Sequence, residues 1–527
     1  MKGHLRRRGR VRTTAGIALT TVAVLLATAC TAADQGSPGP AEAATYVPGT
    51  LRVLASSELA DMKPVLARVE KDTGIKVRPT YMGTLDAVEL LAEGRAKGAY
   101  DAVWLSSNDY LRLRPEAARQ VVSETPVMSS PVAIGVKDAT VAKLGWQPED
   151  VTWSDVERAV ADGKLTYGMT DPTRSHSGFA TLVSVASALS EAQSALTDAD
   201  VARARPRLKE FFTGQQLTSG SSGWLATAYD RRGDVDALLN YESVLESRED
   251  LTVIRPRDGV VTADYPLSSL ASTGKEVRDD VRRLSDALRT PEVQRLITER
   301  TLRRPVVASV PPAAGLDTTR RRELPFPGSR SVADGLLDAY ENELRRPSRT
   351  VYVLDTSGSM EGDRLDRLKT ALTELTGDFR DREEVTLMPF GSDVKSIRTH
   401  VVRPEDPKAG LDGIRADTRE LSASGDTAIY TSLRKAYEHL ATADRDTFTS
   451  IVLMTDGENT EGESPADFDW FYERLPIAQR QIPVFPILFG DSDQDELEHI
   501  ADLTGGRLFD ARRGSLDGAF EEIRGYQ

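Results

Sequence analysis

Cysteine is nearly missing from this 527-residue chain: Cys30 is the only one, a lone thiol with no partner in the chain. Histidine is scarce too, five in all, and none is spaced as HExxH, which removes the usual zinc-protease arrangement. Gly220-Ser221-Ser222-Gly223 falls short of the G-x-S-x-G nucleophile elbow, and no P-loop occurs. With no catalytic constellation in view, the expectation is a protein that binds and does not turn over substrate. Basic charge is in deficit: 67 Lys and Arg face 81 Asp and Glu, a formal net charge of −14. Removing residues 1–29 deletes six basic side chains (Lys2, Arg6, Arg7, Arg8, Arg10, Arg12) and no acidic one, taking the charge from −14 to −20. So acidic a surface repels phosphate backbones, and no basic patch with interleaved aromatics offsets it, so no nucleic-acid partner is expected. Gly, Pro and apolar content are ordinary for a globular chain, and the length suits about three compact units.

The one long apolar run lies at the start. Arg6 to Arg12 form a basic segment, and Thr13 to Ala29 follow as an apolar stretch of about 17 residues, at the lower edge of a bilayer span. Residues 1–29 therefore read as a signal peptide, with a weak hint of twin-arginine export. Cys30 stands where the small-residue segment Ala27-Thr28-Ala29 ends, and this looks like a bacterial lipoprotein signal, in which that cysteine is lipidated. Ala27 stands where such signals usually carry Leu, and Ala27-x-Ala29 also fits ordinary cleavage, which would leave a free thiol. The expectation is lipidation at Cys30, with multiple acyl chains for stable anchoring. Residues 30–48, rich in Ala, Gly, Pro, Ser and Thr, form a tether reaching roughly 20–25 Å as a flexible coil. The protein is thus expected on the outer face of the cell membrane.

Further on, Thr350-Val351-Tyr352-Val353-Leu354 reads as a buried strand and runs directly into Asp355-Thr356-Ser357-Gly358-Ser359. One carboxylate and two hydroxyls at alternate positions, at the end of a parallel strand, make a site where ligands settle in open α/β sheets. Every donor is oxygen and no His or Cys lies near, so the chemistry favours a hard cation, Mg²⁺ first. Ser424-Gly425-Asp426-Thr427 adds a hydroxyl before a helical pattern, and Ile451 to Met454 form a second buried strand leading to Thr455-Asp456-Gly457. Ser357 and Ser359 also read as caps of a helix starting near Met360. The region Ser348 to Gln527 resembles the von Willebrand factor A domain with a metal-ion-dependent adhesion site. The resemblance implies Asp355, Ser357, Ser359, Thr427 and Asp456 as the metal set, for Mg²⁺ or another hard divalent cation such as Mn²⁺ or Ca²⁺. Asp426 departs from the Gly that many relatives carry, and either adds charge near the ion or faces water. Only two acids sit among the donors, so the ion would stay electron-poor and take an acidic side chain from a protein partner. Asp491-Ser492-Asp493-Gln494-Asp495 imitates a calcium loop, but Glu496 stands where the sharp turn needs Gly; a charged helix start explains it better.

Between Gly49 and Pro312 short apolar strands alternate with helices. Leu51 to Ala55, Lys76-Val77 and Tyr100 to Leu105 end in Ser56, Thr84 and Ser106, a βαβ pattern with backbone N–H groups bared at the strand tips. Pro131 to Val136 reads as a crossing strand into a second lobe and Asp236 to Glu242 as the return, with Leu251–Ile254 and Tyr265–Leu267 re-entering the first lobe. Two lobes with paired crossings resemble the type II periplasmic, or extracellular solute-binding, fold. A small ligand would then sit between the lobes, on Ser56, Thr84, Ser106, Ser175, Ser177, Gly178 and Tyr241; taken singly, each also reads as a cap or turn residue. Arg174 and His176 read as loop charges, the histidine solvated. Val332 to Leu344 carries a helical apolar stripe and is expected to dock on the C-terminal domain as its leading helix.

The expected fold class is therefore α/β throughout. A two-lobed, type II periplasmic-binding-protein-like domain (49–312) leads through a Pro/Arg-rich linker with a helix (313–347) to a Rossmann-like, doubly wound von Willebrand factor A domain (348–527). The expected function is a membrane-anchored extracytoplasmic binding protein. Its alternative is the substrate-binding receptor of an ABC importer, with the C-terminal domain as a docking accessory.

Overall fold

The structure, a computed structural model, describes residues 49–527 apart from 234, 378, 441–446, 491, 513–515, 517–518, 521–522, 524–525 and 527. The signal peptide, Cys30, the tether and Asp491 of the calcium-loop imitation lie outside the described residues. Asp493 caps the helix Gln494–Thr504, accepting from the backbone N–H of Asp495 and Glu496, as a charged helix start requires.

The first lobe is a five-stranded sheet in the order Lys76–Met82, Thr50–Ser56, Ala102–Trp104, Pro266–Leu270, Val121–Pro126. Its first three strands are parallel, so their carboxyl ends converge on Ser56, Thr84 and Ser106. The second lobe is built on the long strand Met128–Lys137, which pairs antiparallel with Ala237–Tyr241; Tyr167–Thr170 and Gln215–Ser219 extend that sheet in parallel. The chain crosses between lobes at Pro126–Met128 and returns at Ala263–Pro266, where Tyr265 takes a left-handed φ of 43°.

Two expectations need correcting here. Ala237–Tyr241 is not the return crossing, and Leu251–Ile254 does not re-enter the first lobe: both pair with Met128–Lys137 in the second. A short buried strand looks the same in either sheet, so its apolar pattern names no partner. The apolar stripe from Val332 to Leu344 likewise does not dock on the C-terminal domain, although Glu341 and Asn342 in its last turn bond Arg380 and Asp381 there. Val332, Ala333, Leu336, Ala339, Tyr340 and Leu344 are buried in the apolar core of the two-lobed unit. Tyr340 packs edge-on against Phe212, 5.3 Å between centroids, and its hydroxyl donates to Gln215. The preceding stretch is also no free spacer. Leu324 N–H donates to Val260 C=O, Leu196 N–H donates to Phe326 C=O, and Arg322 donates to Ala192 C=O, strapping it to the second lobe.

The C-terminal domain is a six-stranded sheet, Arg398–Val402, Glu383–Phe390, Ser348–Asp355, Phe448–Thr455, Val484–Leu488, Phe509–Asp510, parallel except for its first edge strand. The period-two alternation of Ser348–Asp355 sends Tyr352 and Leu354 into one apolar layer and Val351 and Val353 into the other. Helices cover both faces, which is why the central strands are apolar throughout. Trp224 of the second lobe packs against the first of these layers, with the Arg507 guanidinium 4.1 Å over its ring. The two units meet along that seam.

Candidate functional site

Strands Ser348–Asp355 and Phe448–Thr455 lie side by side and in parallel, so the residues that end them, Asp355 and Asp456, come together at one rim of the sheet. Both carboxylates are buried, at 0% and 1% exposure. Ser357 N–H donates to Asp355 Oδ1 at 2.8 Å, and Thr455 Oγ1 donates to Asp355 Oδ2 at 2.7 Å. Ser357 and Ser359 hydroxyls lie 2.9 Å apart, and Ser359 Oγ donates to Asp456 Oδ1 at 2.8 Å. A continuous path Asp355–Ser357–Ser359–Asp456 therefore joins four of the five expected metal residues.

Thr427 completes the group. Its loop is pinned to the Asp355 turn by Gly358 N–H donating to Gly425 C=O and Ser424 N–H donating to Thr356 C=O, both at 2.8 Å. Gly425 has φ +84°, a conformation glycine supplies without penalty. A Cβ on Gly457, the residue after Asp456, would lie 3.9 Å from Thr427 Oγ1, which brings that hydroxyl to the backbone that follows the second carboxylate. Asp426 is exposed and faces water.

The capping alternative fails on geometry. Ser357 makes no side-chain cap bond, Ser359 aims at Asp456, and the following helix Asp363–Leu375 is preceded by Gly362. Burial raises the Asp355 carboxyl above its ordinary range, and the nearby Asp456 charge adds to that, while the bonds from Thr455 and Ser357 oppose it. Two cations flank the pair. Lys395 Nζ donates to Thr356 and Ser422 carbonyls behind Asp355, its own pKa lowered by burial, and Arg364 reaches Asp456 Oδ2. Sequence reasoning missed Thr455, Arg364 and Lys395; none belongs to a motif, and only the register of the strands reveals them. Two carboxylates and three hydroxyls, with Ser359 exposed at the mouth, form an all-oxygen donor set that fits a hard divalent cation.

The seven expected ligand residues of the two-lobed unit are all buried and fall into two groups. In the first lobe Ser56, Thr84 and Ser106 bond one another at 2.7 and 3.1 Å, and Ser106 also reaches the carboxyl of Glu58. Burial raises the pKa of that carboxyl. In the second lobe Ser175 bonds Ser177 at 3.1 Å, and Ser177 bonds Ser222 at 2.9 Å. Tyr241 OH bonds His176 Nδ1 at 2.8 Å and also interacts with Ser106 across the cleft. Gly178 serves packing: a Cβ there would meet Thr170 O at 2.3 Å. The lobes touch, since Leu85 N–H donates to Arg174 C=O at 3.3 Å and a Cβ on Gly83 would meet the same oxygen at 2.5 Å. His176 is not a solvated loop residue. It is the buried first residue of the helix His176–Leu189, its pKa pushed down to about 4 by burial. Among the described residues, His176 Nε2 and Asn108 Oδ1 are buried without a hydrogen-bond partner.

Fold and site together define a two-lobed α/β unit followed by an α/β domain with a cluster of oxygen donors at its sheet rim. Comparison with known families agrees. Residues 51–300 match the bacterial extracellular solute-binding protein family, and residues 350–458 match the von Willebrand factor type A domain. The chain thus carries a bacterial extracellular solute-binding domain and a von Willebrand factor type A domain. Among curated proteins it is similar to inter-alpha-trypsin inhibitor heavy chain H4 of Sus scrofa, 29% identical over 124 residues, 22% of this chain and 13% of that one. The match thus spans about an eighth of that relative's length. Among solved structures, the periplasmic binding protein AfuA from Actinobacillus pleuropneumoniae aligns at 13% identity and TM-score 0.46, covering 56% of this chain and 98% of that one. A von Willebrand factor type A protein from Catenulispora acidiphila aligns at 19% identity and TM-score 0.29, covering 34% and 42%.

Proposed function

We infer that the chain is a membrane-anchored extracytoplasmic binding protein, held to the outer face of the membrane by a lipid on Cys30, with no turnover of its own. Asp355, Ser357, Ser359, Thr427 and Asp456 hold Mg²⁺, or another hard divalent cation such as Mn²⁺ or Ca²⁺, and the occupied site receives an Asp or Glu carboxylate from a protein partner. The observation that carries this reading is the convergence of two buried carboxylates and three hydroxyls at one sheet rim, with Ser359 exposed at its mouth. When bound, the ion supplies positive charge that two carboxylates and neutral hydroxyls do not fully screen, which is what draws an outside anion. The chain's own part is to keep the donors fixed before any partner arrives. The test is capture of surface proteins by the full chain with Mg²⁺ and with EDTA, beside Asp355→Ala. Capture that survives chelation and the substitution sinks the reading.

A second reading, the receptor of an ABC importer with the C-terminal domain as docking accessory, draws support from His176 Nε2, buried without a hydrogen-bond partner among the described residues, two positions along from Arg174 at the lobe contact. A buried polar atom without a partner calls for one, which a small polar ligand or a water can supply. Micromolar or tighter affinity for a small solute, with a solute-dependent change in small-angle scattering, supports it; no affinity across a broad solute panel refutes it.

A further inference from the structure

Arg364 occupies an odd place for a basic residue. It is the second residue of the helix Asp363–Leu375, where the positive end of the helix dipole disfavours a cation. Arg367, one turn on, lays its guanidinium 4.6 Å over the Phe489 ring, a packing role. Arg364 instead puts a guanidinium N–H on Asp456 Oδ2, while the other oxygen, Oδ1, accepts from Ser359. The arginine side chain is 37% exposed and the aspartate side chain 0%, so the guanidinium lies on the solvent side of a carboxylate that has no water of its own.

The geometry points to Arg364 as a built-in counter-cation of the rim site, which neutralises Asp456 before a divalent ion arrives and so sets the affinity of the site for that ion. This rests on the reading of Asp355, Ser357, Ser359, Thr427 and Asp456 as a cation site. The physical argument is a charge balance. Two buried carboxylates facing one another repel, and each needs a positive neighbour: Lys395 stands behind Asp355 and Arg364 on Asp456. A divalent ion entering between the carboxylates meets a guanidinium already drawing on Asp456, and both compete for the same charge. Lys395 is held by two backbone carbonyls, whereas Arg364 bonds a carboxylate of the site directly and is partly exposed, so it is the cation that must yield when the site fills.

Isothermal titration of the full chain with MgCl₂ alone, in metal-free buffer, tests this with wild type, Arg364→Gln and Arg364→Lys. The expected result is that Arg364→Gln binds Mg²⁺ about tenfold more tightly, within the usual range of coupling between two sites. Arg364→Lys, which keeps the charge but loses the planar fork, should fall between wild type and Arg364→Gln. A second readout is melting in EDTA, where Arg364→Gln should unfold earlier because Asp456 loses its counter-cation, while its gain in melting temperature on adding Mg²⁺ should exceed that of wild type. Damage to a merely structural contact weakens metal binding; only removal of a competing charge strengthens it. Unchanged or weaker Mg²⁺ binding by Arg364→Gln overturns the role of Arg364 and leaves the metal site standing. Failure of wild type to bind Mg²⁺ sinks the metal site and this inference with it.

Discussion

Replacing Asp355 by Asn separates two effects that Ala would confuse. Asn keeps the volume and one oxygen for Ser357 N–H, but removes the negative charge that faces Asp456. Without a cation, that charge is a burden: burial and its neighbour already push the Asp355 carboxyl upward. Asp355→Asn should therefore cost little in EDTA, within about 1–2 kcal/mol for one weakened hydrogen bond from Thr455. With Mg²⁺ the comparison reverses. A ligand at a hundredfold over its dissociation constant stabilises the folded form by about 2.7 kcal/mol. For a cooperative unit of about 150–250 residues, each kcal/mol moves Tm by roughly 2–4 °C, so wild type should gain roughly 5–10 °C. The variant should gain almost none. Differential scanning calorimetry of the full chain at matched ionic strength, with and without Mg²⁺, reads this directly. Equal Mg²⁺-dependent shifts in wild type and Asp355→Asn would refute the assignment of Asp355 as a metal ligand.

Three further outcomes follow from the two-lobed unit. His176 has its pKa pushed down to about 4 against an ordinary 6.5, so the unfolded chain binds more protons between those values and stability falls as pH drops from about 6.5 toward 4. A lowering from 6.5 to about 4 corresponds to about 3 kcal/mol, so between pH 7 and pH 4.5 wild type should lose about that much more stability than His176→Gln in urea unfolding, and equal losses would refute the assignment. Asp264, raised to about 6, and Glu58, also raised, act in the opposite sense, so the wild-type-minus-variant difference is the quantity to measure. Gly178→Ala places a Cβ 2.3 Å from Thr170 O, and the forced helix shift should cost about 1–3 kcal/mol in urea unfolding; a neutral result would show that the helix start is slack. Trp224→Ala removes the ring beneath Arg507, and the seam should weaken by about 1–2 kcal/mol, seen as a lower denaturation midpoint without change in Mg²⁺ affinity.

How much of this was legible in the chain depends on what each signal encodes. Asp355, Ser357, Ser359, Thr427 and Asp456 could be singled out together because strand endings, loop hydroxyls and helix starts leave local marks: five apolar or β-branched residues before Asp355, four apolar ones before the Thr455–Asp456 pair. Their supports were not. Thr455 bonds Asp355 only because two strands a hundred residues apart lie in register, and Arg364 meets Asp456 only because its helix is set against that rim. The two lobes were legible from their alternation, but Leu251–Ile254 was given to the wrong lobe because a short apolar strand names no partner. The stripe from Val332 to Leu344 was correctly seen as helical and wrongly docked. Its period fixes which face is buried, and says nothing of which neighbour buries it. His176 was misread for a related reason: burial of a polar residue depends on the partner that rescues it, here Tyr241, sixty-five positions away.

The two candidate sites differ in what must happen before they work. At the rim, Thr356, Gly358 and Lys395 fix the loops through bonds that spend none of these side-chain oxygens, and Ser359 is exposed, although Thr455, Ser359 and Arg364 already bond the two carboxylates. Such preorganisation means that little ordering entropy is left to be lost when a partner binds. Between the lobes more has to give. Ser56, Thr84, Ser106, Ser177, Ser222 and Tyr241 spend their hydroxyls on protein partners, and Gly83 and Leu85 meet the Arg174 carbonyl across the cleft. A solute there must first break these bonds and part the lobes, so its apparent affinity is reduced by the fraction of molecules that are open. Filling the rim site would need only side chains to exchange partners, Arg364 among them, whereas filling the cleft would need the lobes to part.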